Sequence, residues 1–143
     1  MEHQFYQTCA YFTAEKYTRA VEKLAGQVFM PTQLPPPYSY IMMFVEDHNP
    51  TTIMQITRNL GYDRSSVSRM TKKLVNLGFL STTNKGRETQ LMLTTKGISF
   101  LKIANNCLNN LKKLTDELLG TDKVKMTTLL NESEKKIRGW IID

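Results

Sequence analysis

Between Thr51 and Gly78 the sequence sets two short amphipathic helices around the tripeptide Gly61-Tyr62-Asp63, and this constrains the fold more than any other feature. Thr51 or Thr52 caps the first helix, whose inward positions are Ile53, Ile56 and Leu60. Gly61 breaks it, because glycine takes a left-handed backbone after a helix without steric cost. Asp63 caps the second helix, and Val67, Met70, Leu74 and Leu77 recur at three- and four-residue steps as its inward stripe. Gly78 ends it. Two helices joined by a short glycine-containing turn form a helix-turn-helix.

With that stripe turned inward, the outer side carries Arg64, Ser65, Ser66, Ser68, Arg69, Lys72, Lys73 and Asn76, and no acid follows Asp63 on this helix. Small hydroxyl side chains at the entering end let the backbone approach a groove floor, and Arg and Lys further along reach phosphates. A solvated face would also be polar, but such faces commonly mix both signs. Directly afterwards, Thr82, Thr83, Thr89, Leu91 and Leu93 suit strands around a polar tip, Asn84-Lys85-Gly86-Arg87, which reads as a β-hairpin. A thin ribbon with Lys85 and Arg87 at its tip can lie along the backbone and insert an arginine into a minor groove. Helix-turn-helix plus basic hairpin makes a winged helix-turn-helix.

Helices flank this lobe. Phe5, Cys9, Thr13, Tyr17, Val21, Leu24 and Val28 predict one opening helix from about Gln4 to Val28. The prolines at 31, 35, 36 and 37 delay the next helix to Pro36 or Pro37, and it runs to about Asp47 before the turn Asn49-Pro50. Thr94 or Thr95 caps a long helix to about Leu119, ~37 Å at ~1.5 Å per residue. Gly120 stops it, and a last helix from about Asp122 aligns Met126, Leu129, Leu130, Ser133, Ile137, Trp140 and Ile141. One ribbon must then be covered by a mainly α body.

Charge follows the same division. The net charge is +6 over 143 residues. Residues 1–62 carry four basic and five acidic side chains, residues 63–97 seven and two, and residues 98–143 eight and six. The excess sits in the helix-turn-helix and hairpin, where a nucleic-acid surface would need it.

The run Gln55-Ile56-Thr57-Arg58-Asn59-Leu60-Gly61-Tyr62-Asp63-Arg64-Ser65-Ser66-Val67-Ser68-Arg69, followed by Lys73-Leu74-Val75-Asn76-Leu77-Gly78-Phe79-Leu80, resembles the MarR family of bacterial transcription regulators. Leu93-Thr94, with Gly97 shortly after, matches the end of that family's wing. The family's wing has an aspartate two residues before an arginine; Arg87 falls on the arginine, but Lys85 replaces the aspartate that braces it. The expectation is a looser, more positive wing tip.

The resemblance implies a single domain over 1–143, with a winged helix-turn-helix DNA-binding lobe at 36–94 and dimerisation helices at 1–30 and 95–143. It implies a homodimer that represses from a pseudo-palindromic operator and is released by a small, phenolic or otherwise lipophilic effector bound between lobes. The DNA-binding residues expected are Arg64, Ser65, Ser66, Ser68, Arg69, Lys72, Lys73, Lys85 and Arg87. Phe12, Tyr38, Tyr40 and Phe100 are candidates for the ligand pocket, although core is the commoner fate of such residues. One branch of the family senses organic hydroperoxides through a cysteine in the first helix. Cys9, beside Tyr6, Tyr11 and Phe12 but with no adjacent cation, reads either as that thiol or as a small packed hydrophobe.

Other chemistry finds no support. His3, His48, Cys9 and Cys107 fall at no metal-ligand spacing, and GxGxxG, GxSxG and HExxH motifs are missing, so neither metal, cofactor nor enzymatic activity is expected. Two cysteines make no disulfide framework, and the longest apolar run, Ile41 to Val45, falls far short of a membrane span of ~20 residues, so the chain reads as cytoplasmic. Two further functional readings use the same fold: a winged-helix protein-interaction module without specific DNA readout, and an architectural binder of DNA in general.

Overall fold

The computed structural model describes residues 2–141. In chain order the elements are α1 (Phe5–Thr8), α2 (Ala10–Val28), a 3-10 turn (Met30–Thr32), α3 (Pro36–Asp47), α4 (Ile53–Leu60), α5 (Arg64–Asn76), β1 (Leu80–Lys85), β2 (Glu88–Leu93), α6 (Thr95–Leu119) and α7 (Asp122–Ile141). This is a mainly helical winged-helix fold with one two-stranded antiparallel sheet. The chain divides into two compact units within α6, after Leu108. Among the described residues no helix is long and apolar enough to cross a membrane.

The expected single opening helix is two helices. At Cys9 the backbone turns extended (φ −79°, ψ 122°), ending α1 after one turn, and the thiol caps α2 by accepting from the Phe12 N–H at 3.5 Å. The apolar spacing runs through the break unchanged, so periodicity alone joined the two pieces. After α2, the Thr32 hydroxyl donates to the Phe29 carbonyl at 2.7 Å and accepts from the Leu34 N–H at 3.2 Å, which turns the chain towards the prolines. Pro36 then opens α3, where a missing N–H costs nothing.

In the first unit the core is a single cluster. Ile41, Met42 and Val45 of α3 meet Ile56 of α4, Val67 and Leu74 of α5, Leu80 and Leu91 at the wing root, and Phe100, Leu101 and Ala104 of α6. The inward positions expected of α4 and α5 are thus largely those that pack, with Leu77 left exposed at the end of α5 and Thr71 buried in its place. Gly61 ends α4 at φ 78° and Gly78 follows α5 at φ 84°, both left-handed.

The wing is fixed at its root by bonds from outside the hairpin. Its register pairs Leu80 with Leu93 and Lys85 with Glu88. Thr51 and Leu91 exchange both backbone hydrogen bonds, 3.0 and 2.7 Å, and the Asn49 side-chain carbonyl accepts from the Leu93 N–H at 3.1 Å. Thr94 caps α6: its hydroxyl accepts from the Gly97 N–H at 3.0 Å and donates to the Gly78 carbonyl at 2.6 Å, tying the end of α5 to the start of α6. Lys96 adds a second tie, donating to the Leu77 carbonyl at 2.8 Å while its ammonium lies over the Phe79 ring.

The second unit comprises the end of α6 and α7. Gly120 makes the turn at φ 62°, and Lys123 bridges it, pairing with Asp116 at 2.8 Å and donating to the Lys112 carbonyl at 3.2 Å. α7 has no buried residue within the single chain, and Val124, Leu129, Leu130, Ile137, Trp140 and Ile141 are all exposed.

Candidate nucleic-acid interface

The entering end of α5 is organised by one carboxylate. Asp63 caps the helix, with Oδ1 accepting from the Ser66 N–H at 2.7 Å and from the Ser65 hydroxyl at 2.7 Å, while Oδ2 accepts from the Ser66 hydroxyl at 2.9 Å. Arg69 Nη2 then donates to Ser66 Oγ at 3.2 Å. The Ser66 backbone donor, reinforced by the two hydroxyls and the Arg69 charge, holds the Asp63 carboxyl down at about 2 against an ordinary value of 3.8. Asp63 is therefore ionised throughout the neutral range. The sequence marks it as a cap but not as the group that orients Ser65 and Ser66; the Asp-x-Ser-Ser spacing is the signal for that.

Arg64, Ser65, Ser68, Arg69, Lys72 and Lys73 are exposed on α5, and Ser66 is half-exposed. The two adjacent lysines part company. Lys72 lines a groove of about 220 Å³ between α5 and the wing, with Ser68, Thr71, Thr82 and Thr89. Lys73 turns the other way, placing its ammonium over the Tyr38 ring of α3 at 5.5 Å. Lys85 and Arg87 are exposed at the wing tip, where Glu88 stands opposite Lys85 in register. Glu88 is one acid in the otherwise basic tip, and the Thr89 hydroxyl bonds across the hairpin to the Asn84 side chain at 3.2 Å.

The four aromatics named for a ligand pocket do not gather at one described cleft. Phe100 is 5% exposed and stacks on Phe79 at 4.6 Å inside the core, so it is a packing residue. Phe12 meets Phe5 edge-on at 4.9 Å with the Arg19 guanidinium above it, and Tyr38 lies under Lys73. Only Tyr40 of the four lines a described cleft, between α3 and the end of α4 together with Met43, Phe44, Asp47, Leu60 and Tyr62. That cleft went unread in the sequence, although Tyr40, Met43, Phe44 and Asp47 repeat at helical spacing beside the core stripe of α3.

Cys9 is half-exposed at the α1–α2 break, its sulfur committed to the Phe12 N–H. Cys107 is buried on α6, and desolvation pushes its thiol above the ordinary range. Among the described residues no three His, Cys, Asp or Glu side chains gather where they could hold a metal ion.

Against known proteins, residues 32–88 match the model of the MarR family. No curated protein matches the chain in sequence. Among solved structures, the chain is similar to the M. tuberculosis transcriptional regulator MosR in complex with DNA, with TM-score 0.83, 15% identity and coverage of 94% of this chain and 99% of that one. It is similar to the transcriptional repressor CouR bound to a 23-mer DNA duplex, with TM-score 0.81, 19% identity and coverage of 94% and 98%. CouR bound to p-coumaroyl-CoA aligns with TM-score 0.78, 20% identity and coverage of 92% and 97%.

Proposed function

We propose that this chain is a MarR-family regulator, a homodimeric repressor that reads a pseudo-palindromic operator and leaves it when a small molecule binds. The observation that carries the reading is the surface of α5 beyond Asp63: exposed hydroxyls and cations with no acid, standing next to a wing tipped by Lys85 and Arg87. The structural similarity to MosR and CouR in their DNA complexes supports it, and CouR with p-coumaroyl-CoA supports control by a ligand.

In a two-fold dimer, two copies of α5 enter successive major grooves with half-site centres ~34 Å or ~10 bp apart. Ser65, Ser66, Ser68 and Arg69 meet base edges there, and Lys72 meets phosphate. The bonds to Asp63 give the two serines a direction. Each hydroxyl proton is spent on the carboxylate, so towards DNA each oxygen can only accept, Ser66 with the one lone pair that Arg69 leaves it. Such an acceptor pairs with the N6 amino group of adenine or the N4 amino group of cytosine. Arg69 pairs best with the O6/N7 edge of guanine. Arg64 and Lys73 add positive charge at the two sides of the helix, and Arg87, assisted by Lys85, enters the minor groove.

Titrations of operator and random duplex at two salt concentrations test this. Arg69→Ala is expected to lower the preference for operator by ~1–3 kcal/mol. Lys72→Ala is expected to weaken both duplexes nearly equally and to flatten the salt dependence, since one fewer phosphate is neutralised. If Arg69→Ala and Arg87→Ala both bind operator as wild type does, this surface is not the reader.

A further inference from the structure

The cleft between α3 and the helix-turn-helix is open, about 350 Å³ in volume, and walled by Tyr40, Met43, Phe44, Leu60 and Tyr62. Three of these are aromatic, and all five apolar or aromatic walls are only half-buried. Its single charged lining group is Asp47, exposed at the mouth. Burial pushes the Tyr40 and Tyr62 hydroxyls up, so both rings remain neutral and the carboxylate is the only charge the cleft presents.

The position of that carboxylate is unusual. Asp47 is the last residue of α3 and follows Glu46, and the last turn contains no basic residue. A helix C-terminus already carries partial negative charge, so two carboxylates there stand where they are least welcome. Among the described residues neither has an ion pair; Glu46 only accepts a long bond, 3.5 Å, from Asn105. In a chain of net charge +6 this is a local negative site beside an aromatic wall. Ring faces and a carboxylate both attract positive charge, and methionine and leucine favour an apolar body. A phenolate or carboxylate ligand would meet repulsion from Asp47 and from the ring faces, with only the two tyrosine hydroxyls to donate to it.

We infer that this cleft binds a lipophilic organic cation, an aromatic amine or quaternary ammonium, with its charged head against Asp47 and its apolar body between Tyr40, Phe44 and Tyr62. The inference goes beyond the DNA reading and stands without it, since binding here requires neither DNA nor a dimer. If the chain is a repressor, the site is well placed to act as its effector site. Leu60 and Tyr62 flank Gly61, so an occupant touches both sides of the turn that sets α5.

Calorimetric titration of the full chain with benzyltrimethylammonium, benzyl alcohol and benzoate tests the idea, with operator binding measured separately. The cation is expected to saturate at one per chain and to bind about tenfold tighter than the neutral alcohol, with benzoate weakest. Asp47→Asn should bring the cation down to the level of the alcohol with an unchanged far-ultraviolet dichroism spectrum. Glu46→Gln, which lies outside the lining and leaves the Asp47 carboxylate in place, should retain binding. Benzoate binding as tightly as the cation, full affinity in Asp47→Asn, or no saturable binding would each overturn the assignment. None of these outcomes bears on whether the chain holds an operator.

Discussion

At the scale of single residues, Asp63 links stability to the proposed readout by Ser65 and Ser66. Its carboxyl is held at about 2, below its ordinary 3.8, by the Ser66 N–H first and the two hydroxyls next. A carboxylate with a depressed folded-state pKa stabilises the fold above its unfolded value, and the contribution disappears as pH falls through the folded value. Wild type should therefore be more stable than Asp63→Ala at neutral pH, and the gap should close between about pH 4 and about pH 2. Denaturant unfolding across that range measures it; a gap that persists undiminished to pH 2 would refute the assignment. The same variant frees both serine hydroxyls to donate, so its preference at the half-site positions they face should relax. The cap was legible in the sequence because aspartate before an amphipathic run has a local signature. Lys73 was less legible: its neighbour Tyr38 lies 35 positions earlier, and only the packing of α3 against α5 brings the ring beneath the ammonium.

Among the elements, the junction of wing and α6 is the least forgiving. Gly97 lies in the first turn of α6, and a Cβ there would run into the Phe79 carbonyl and crowd the Leu93 and Met42 side chains. The carbonyl cannot step aside, because it also receives the Thr94 N–H at 3.3 Å. Gly97→Ala should cost at least ~1–3 kcal/mol, the usual range for overpacking, and thermal unfolding would register it. A variant as stable as wild type would mean that the wing root yields more easily than its bonds suggest. Periodicity and capping residues located α3 to α7 closely, because prolines, glycines and threonines punctuate their ends. They failed at Cys9. No glycine or proline stands there, the apolar face continues past it, and the break is a matter of one residue's ψ angle.

For the whole molecule, the apolar residues that the single chain leaves uncovered matter most. Trp140 is 83% exposed, and Leu118, Val124, Leu129, Ile137 and Ile141 are each more than half exposed. A two-fold partner would bury such a face against its own copy. The 143-residue chain should sediment as a dimer at micromolar concentration, and Trp140 fluorescence should shift to longer wavelength as dilution separates the chains. Removing the segment after Gly120 should give monomeric or insoluble protein with weak DNA binding; a well-folded monomer of the full chain would sink the dimer. The wing brings a mechanical consequence to that assembly. Leu80 and Leu91 at its root are 2% exposed, and Leu91 is bonded to Thr51, whereas residues 84 to 89 touch solvent. It is a cantilever, clamped at one end and loaded at the other. A small rotation at the clamp sweeps Lys85 and Arg87 through the widest arc in the hairpin, so in the proposed dimer the two wings would follow differences in groove width from one half-site to the other without moving α5.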